Sequence, residues 1–281
     1  MFLQPRTLQE AVEVLATHGG TLVAGGTDVF PALVDRPTPA CLVDLSQIAD
    51  LKGIRLAGDH VRIGGGATWT EIIEADLPPC FSGLKAASRE VGSVQIQNRG
   101  TIAGNLCNAS PAADGVPPLL ALDAAVELTS REGTRCLSLA DFILGNRRTA
   151  RRPGEILSAV LVPRAWDKAG SAFQKLGARR YLVISILMVA ATIARHRDGS
   201  VRAARVAVGA ASEVARRLPA LEGRLIGAST STRLSSLIAA DDLAVLSPID
   251  DVRASADYRL TAARELVGRT IDLAAGALAD A

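Results

Sequence analysis

The segments Ala24-Gly25-Gly26-Thr27-Asp28 and Thr101-Ile102-Ala103-Gly104-Asn105 carry the residue types best suited to holding an anion. Small residues let the backbone approach a ligand closely, and successive N–H groups in such turns form a concavity that favours negative charge. Thr27, Thr101 and Asn105 add side-chain hydrogen-bonding groups in the same places. The first segment follows Thr21-Leu22-Val23-Ala24, the pattern of a buried strand that stops abruptly. The second continues into Leu106-Cys107-Asn108-Ala109-Ser110-Pro111-Ala112-Ala113-Asp114, a polar stretch with little periodicity. Two such loops in one chain suit a diphosphate, as in a dinucleotide.

The common nucleotide fingerprints are absent. No G-x-G-x-x-G lies between a strand and a helix, and no G-x-x-x-x-G-K-[ST] occurs. Gly64-Gly65-Gly66 comes nearest, but Trp69 stands where a third glycine would be. Hydrolytic and metal chemistry have little to rest on. The three histidines, His18, His60 and His196, fall at turn and helix-end positions. Ser82-Gly83-Leu84-Lys85 has S-x-x-K spacing without the S-D-N or K-T-G that would support it. Cys41, Cys80, Cys107 and Cys136 are dispersed with no C-x-x-C pair, which argues against zinc or iron–sulfur ligation by this chain. Cys107 could approach a ligand, although a small buried apolar role suits it better.

Asp114 and Lys175 stand out among the charged residues. An acid downstream of a diphosphate loop can accept hydrogen bonds from ribityl or ribose hydroxyls; the alternative is an Asp at a helix start after Pro111. Lys175 puts one charge in the run Ser171-Ala172-Phe173-Gln174-Lys175-Leu176, where a solvated strand lysine is an equal alternative. Arg147, Arg148, Arg151, Arg152, Arg179 and Arg180 form basic clusters, read as solvated loop charge or a surface for a partner.

The pair of motifs resembles the FAD-binding medium subunit of the molybdenum hydroxylases, the xanthine dehydrogenase and carbon monoxide dehydrogenase group. That family shows A-G-G-T-D in its first loop, matched by Ala24 to Asp28, and Q-I-R-N-x-G-T-I-G-G-N-L in its second. Here the second reads Gln95-Ile96-Gln97-Asn98-Arg99-Gly100-Thr101-Ile102-Ala103-Gly104-Asn105-Leu106, followed by Ser110-Pro111 and Asp114. It departs at Gln97, usually Arg, and at Ala103, usually Gly; if position 103 needs positive φ, the alanine is strained by about 1 kcal/mol. The resemblance covers essentially the whole chain. It implies FAD contacts at Leu22, Val23, Ala24, Gly25, Gly26, Thr27, Asp28 and Val29, and at Val91, Thr101, Ile102, Ala103, Gly104, Asn105, Ser110 and Asp114. It adds Leu157 as an apolar contact to the flavin ring and Lys175 as a cation beside it, where a positive charge favours the reduced flavin. On that basis Lys175 acts on electron transfer more than on folding.

The same resemblance implies an α+β chain. A two-lobed FAD-binding domain of the p-cresol-methylhydroxylase and vanillyl-alcohol-oxidase type precedes an α/β domain with a small antiparallel sheet and C-terminal helices. Electrons would pass from [2Fe-2S] clusters on a small partner subunit through FAD to an external acceptor: NAD, a quinone or O2. Molybdopterin would belong to a large partner subunit, in a dimer of heterotrimers. A stand-alone FAD-dependent oxidase or reductase, and a structural subunit with degraded FAD binding, are the alternatives. The chain lacks the grouped cysteines of the relatives that carry an extra [4Fe-4S] cluster.

At 281 residues, with 48% hydrophobic and 21% charged residues, the sequence is that of a globular protein with room for two domains. Aromatic residues make up only 3%, so Ala, Val, Leu and Ile must build the core. A net charge of +2 gives no sign of nucleic-acid or membrane binding. No uncharged apolar run is long enough for a membrane span, the stretch from Tyr181 to Ala194 included, and no secretory leader is evident. Dispersed cysteines point to a reduced, cytoplasmic setting.

Capping boxes at Thr7-Leu8-Gln9-Glu10 and Thr68-Trp69-Thr70-Glu71 open helices, and Gly58-Asp59-His60 turns a hairpin. Strands are expected at 21–24, 41–45, 125–129, 155–162, 171–176, 183–194 and 201–209, with helices at 81–91, 118–122 and 257–279. The composition changes after the segment Arg164 to Gly170. This gives an FAD-binding domain at 1–168, with subdomains of about 1–52 and 53–168, and a C-terminal domain at 169–281.

Overall fold

The computed structural model describes residues 1–34 and 37–277. The chain opens with a strand, Phe2–Leu3 (β1), and the helix Leu8–His18 (α1), which Thr7 caps by accepting from Glu10 N. Thr21–Val23 (β2) and Leu42–Asp44 (β3) follow, and the three strands form a small parallel sheet in the order β1-β3-β2. Ala11 and Leu15 of α1 pack on Ile48, Leu51 and Ile156, which fixes this lobe against the next sheet.

Ile54–Ala57 (β4) and His60–Gly64 (β5) make the expected hairpin. Helices Trp69–Glu74 (α2), Ser82–Glu90 (α3), Val94–Gln97 (α4), Ile102–Asn108 (α5) and Val116–Ala121 (α6) lead to the strands Ala125–Ser130 (β6) and Gly133–Ser138 (β7). After Leu139–Phe142 (α7), the hairpin Ile143–Gly145 (β8) and Arg148–Thr149 (β9) precedes Ile156–Pro163 (β10). The long strand β10 lies at the centre of a five-stranded antiparallel sheet, β4-β5-β10-β6-β7. Its core is built around Trp69, Phe81, Ile102, Leu106 and Leu119, each 0–1% exposed.

Gly170–Leu176 (β11), Leu187–Arg195 (β12), Val201–Gly209 (β13) and Arg216–Arg217 (β14) form a four-stranded antiparallel sheet in sequence order. One face, with Leu187, Val189, Ala191 and Ile193, packs on Leu221 of Pro219–Leu225 (α8) and on Ala263, Val267 and Ile271 of Ala256–Gly276 (α9). Ala194 and Ala207 join the core of the five-stranded sheet instead, and α6 contacts β12 and β13. Both faces are therefore covered, so β12 reads as a continuous apolar run with no alternation. Asp123, at the end of α6, accepts from Arg205 Nε at 2.9 Å and from Arg217 Nη1 at 2.8 Å, tying that helix to β13 and β14.

Two expected elements differ. Strand β12 starts at Leu187, not at 183: Leu182 has φ +52°, and backbone pairing with β11 begins only where Ile186 N donates to Leu176 O at 2.8 Å. The C-terminal helix ends at Gly276 with Ala277 as its C-cap, and positions 278 and 279 of the expected span lie outside the described residues.

Candidate functional site

A cleft of about 910 Å³ runs from the end of β2 to the segment Leu182–Ile184 ahead of β12. The strand β2 delivers Ala24 to the cleft, and the small residues after it sit hard against a neighbouring backbone. A Cβ on Gly25 would stand 1.8 Å from the Arg99 carbonyl oxygen. Gly26 has φ +74°, and a Cβ there would meet the Phe30 ring at 2.5 Å. Neither position can carry a side chain without moving the loop.

The second segment is held from behind by the five-stranded sheet. Gly65 N donates to Ser158 O on β10 at 2.8 Å, and the Gly65 carbonyl accepts from Ala103 N at 3.1 Å. Ile102 N reaches Ala67 O at 3.0 Å. Thr101 is the N-cap of α5, its hydroxyl accepting from Gly104 N at 3.1 Å. What reads in sequence as a patternless loop is thus the first turns of a helix; Gly104, Asn105 and Asn108 are weak helix formers and hide it. Ala103 lies inside that helix, and its φ is not among the positive ones. The expected strain at this alanine is absent, because the position is helical.

All the sequence-designated residues line the cleft except Val23 and Ile102. Val23 is 4% exposed in the strand and Ile102 is fully buried in the core under α5, so each supports the wall from behind. Leu157 enters from β10 at a bulge in its pairing with β6. Val91, just past α3, sits on the same wall as Lys175 and the segment Leu182–Ile184.

Lys175 and Asp114 meet at that end. Lys175 Nζ donates to Asp114 Oδ2 at 2.7 Å and to Glu90 O at 3.2 Å, and Ser185 Oγ donates to Asp114 Oδ1 at 2.7 Å. The side chains of Lys175 and Asp114 are only 7% and 9% exposed. Burial pushes the Asp114 carboxyl above the usual carboxylate range, against the pull of the Lys175 ammonium and the Ser185 hydroxyl. Lys175 is therefore not a solvated strand lysine, and Asp114, although it lies just before α6, accepts from Lys175 and Ser185 and makes no side-chain cap there.

At the other end Asp28 Oδ1 accepts from Asn108 Nδ2 at 2.8 Å, and Asn108 Oδ1 accepts from Arg147. Arg147 and Arg151 reach the cleft wall, although sequence placed them only in a basic cluster. Ser185, Glu90 and Asn108 were not singled out beforehand. Ser185, a hydroxyl inside the apolar run Ile184-Ser185-Ile186, was the one legible signal. Burial lifts the Cys107 thiol to about 11, so it stays protonated at neutral pH and gives the wall an uncharged surface.

Asn105 Oδ1 is a buried acceptor without a partner among the described residues, on a residue of the cleft wall. An unpaired buried acceptor costs about 1–3 kcal/mol, so a ligand donor at this wall would be favoured. Together with the side-chain-free cradle at Gly25 and Gly26 and the cations Arg147 and Arg151, this fits an elongated anionic molecule with hydroxyl donors. Among the described residues no helix is long and apolar enough to cross a membrane, and no group of three or more His, Cys, Asp or Glu could hold a metal ion.

The fold is α+β, with a cleft suited to an elongated anionic ligand. Residues 1–165 match the FAD binding domain in molybdopterin dehydrogenase, and residues 171–274 match the CO dehydrogenase flavoprotein C-terminal domain. The chain belongs to this family, the FAD-binding subunits of molybdenum-hydroxylase-type oxidoreductases. It is 38% identical to the nicotinate dehydrogenase FAD-subunit of Eubacterium barkeri over 196 residues, 66% of either chain. It is 31% identical to a xanthine dehydrogenase FAD-binding subunit of Escherichia coli, covering 97% of this chain and 96% of that one. Its fold is similar to that of reconstituted CO dehydrogenase from Oligotropha carboxidovorans, with a TM-score of 0.89, 29% identity, and coverage of 98% of this chain and 97% of that one.

Proposed function

We propose that the cleft holds FAD non-covalently and that the chain is the electron-transfer subunit of a molybdenum-containing hydroxylase or dehydrogenase. The observation that carries this is the convergence of both small-residue segments on one cleft, with an unpartnered buried acceptor in its wall. Residues 22–29 and 101–105 would hold the diphosphate and adjoining ribityl chain, with Ser110 beside them. Leu157 and Val91 would supply apolar contact, and Lys175 with Asp114 would stand at the ring. Bound FAD supplies one- and two-electron redox chemistry. This chain's residues bind it, keep water from its buried side, and fix the charges nearest to it.

Electrons would arrive from [2Fe-2S] clusters on a small partner subunit, and organic substrate would be oxidised on a large molybdopterin subunit. The acceptor class is NAD, a quinone or O2, and the assembly a dimer of heterotrimers. Medium-subunit relatives from multi-subunit enzymes support the two partners. We assign residues 1–168 to the FAD-binding domain and 169–281 to the C-terminal domain; the two matched spans support this division. Cys41, Cys80, Cys107 and Cys136 are free thiols, which supports a cytoplasmic setting.

The visible spectrum of the purified protein tests the reading. Flavin bands are expected, with the flavin released as FAD on denaturation. Protein that purifies without flavin and takes none up on incubation with FAD would sink the assignment.

A further inference from the structure

Both carboxylate oxygens of Asp114 already have protein donors, Lys175 on one and Ser185 on the other. Lys175 in turn spans from Asp114 to the carbonyl of Glu90, the last residue of α3. One carboxylate thereby joins three pieces of the cleft wall: the segment before α6, the strand β11 and the segment Leu182–Ile184, which Ser185 ends. Leu182 holds positive φ, and its carbonyl accepts from Arg179 Nε at 3.0 Å. The turn behind it is equally crowded, since a Cβ on Gly177 would meet Val183 Cγ1 at 2.5 Å. A strained segment of this kind stays in place only when something fixes its ends.

We infer that Asp114 is a positioning residue: it aims the Lys175 ammonium into the cleft, offsets part of its charge there, and anchors the segment Leu182–Ile184 through Ser185, whatever contact it also makes with the cofactor. The inference rests on the FAD reading of the cleft. Its physical content is a matter of sign. A cation near a ring that gains negative charge on reduction raises the reduction potential, and a buried anion paired to that cation lowers it again. The two members of the pair therefore act on the flavin in opposite directions, although both stabilise the fold.

The experiment compares Asp114→Asn and Lys175→Met in the intact complex, measuring flavin per protein chain and the flavin midpoint potential by redox titration. Asn keeps the shape and can still accept from Ser185. The expected result is that Asp114→Asn keeps its FAD and shifts the potential upward, whereas Lys175→Met shifts it downward. Lys175→Arg, which retains the charge, should fall nearer to wild type than Lys175→Met. Loss of FAD from Asp114→Asn, while Lys175→Met keeps it, would show that Asp114 acts by holding the cofactor and not through Lys175, and would overturn the inference. Shifts of the same sign, or none, would overturn it too. If Asp114→Asn does not accumulate, Asp114→Ser takes its place; failure of both would leave Asp114 a purely structural residue and likewise reject the positioning role. Absence of flavin from the wild-type complex would instead refute the underlying FAD reading.

Discussion

Lys175 Nζ lies 2.7 Å from Asp114 Oδ2 in the wall of the cleft, with both side chains more than nine-tenths buried. This relationship changes what substitution of the lysine should do. A lysine on a solvated strand could be replaced at little cost to folding, but Lys175→Met leaves a buried carboxylate without its partner. Breaking a buried pair in this way costs about 3–5 kcal/mol. The expected outcome is a marked fall in unfolding free energy by urea titration, alongside any change in flavin potential. A variant as stable as wild type would mean that water reaches Asp114 in solution.

Gly25 provides the sharpest test of the cradle. A methyl group there would press on the Arg99 carbonyl oxygen, and a backbone oxygen cannot swing aside as a flexible side chain could. Gly25→Ala should push the first small-residue segment away from the second and leave the purified protein largely free of flavin. Gly26→Asp should do the same for an added reason, because its side chain would drive into the Phe30 ring and the +74° φ disfavours any side chain. Full FAD content in both variants would show that the cofactor lies elsewhere.

Much of this architecture was legible because its signals are local. Thr7 and Thr68 cap their helices as the S/T-x-x-E spacing requires, and the Gly58-Asp59-His60 turn sits between strands of clear pattern. The first small-residue segment was readable for the same reason, as a strand end followed by glycines. Other features escaped. Helix α5 was hidden by weak helix formers, since its stability comes from packing Ile102 and Leu106 into the core and not from propensity. The span Val183 to Ile186 looked like the start of β12 because it is largely apolar, yet Val183 and Ile184 line the cleft and pairing with β11 begins only at Ile186. The Asp114–Lys175–Ser185 contact joins residues 61 and 71 positions apart, and no spacing rule reports such a distance.

Ala103 now carries a different expectation. Because it sits in helix α5 next to the Gly65 backbone, replacement by glycine relieves no strain and loosens a helix that already contains Gly104. Ala103→Gly should lower stability by roughly 0.5–1 kcal/mol and leave FAD affinity unchanged or weaker. Tighter FAD binding, measured by fluorescence titration of the apoprotein, would contradict the helical account.

The acid limb of stability should report on Glu155. Burial disfavours its charge, but hydrogen bonds from the Arg135 guanidinium at 2.5 Å and from Arg152 N at 2.6 Å more than compensate, and hold the carboxyl below its ordinary 4.5. A carboxylate with a depressed folded-state pKa binds fewer protons in the native state than in the unfolded one. Its stabilisation is therefore fully present above pH 4.5 and is lost as the pH falls through the lower folded-state value. Glu155→Gln removes that contribution and leaves Arg135 with a neutral acceptor. The variant should be less stable than wild type at pH 7, and the gap should narrow steadily as the pH falls below about 4.5, toward the depressed value. Chemical denaturation at a series of pH values measures the gap directly. A gap that stays constant down to the acid transition would show that Glu155 contributes by packing and hydrogen bonding alone, with no part carried by its charge.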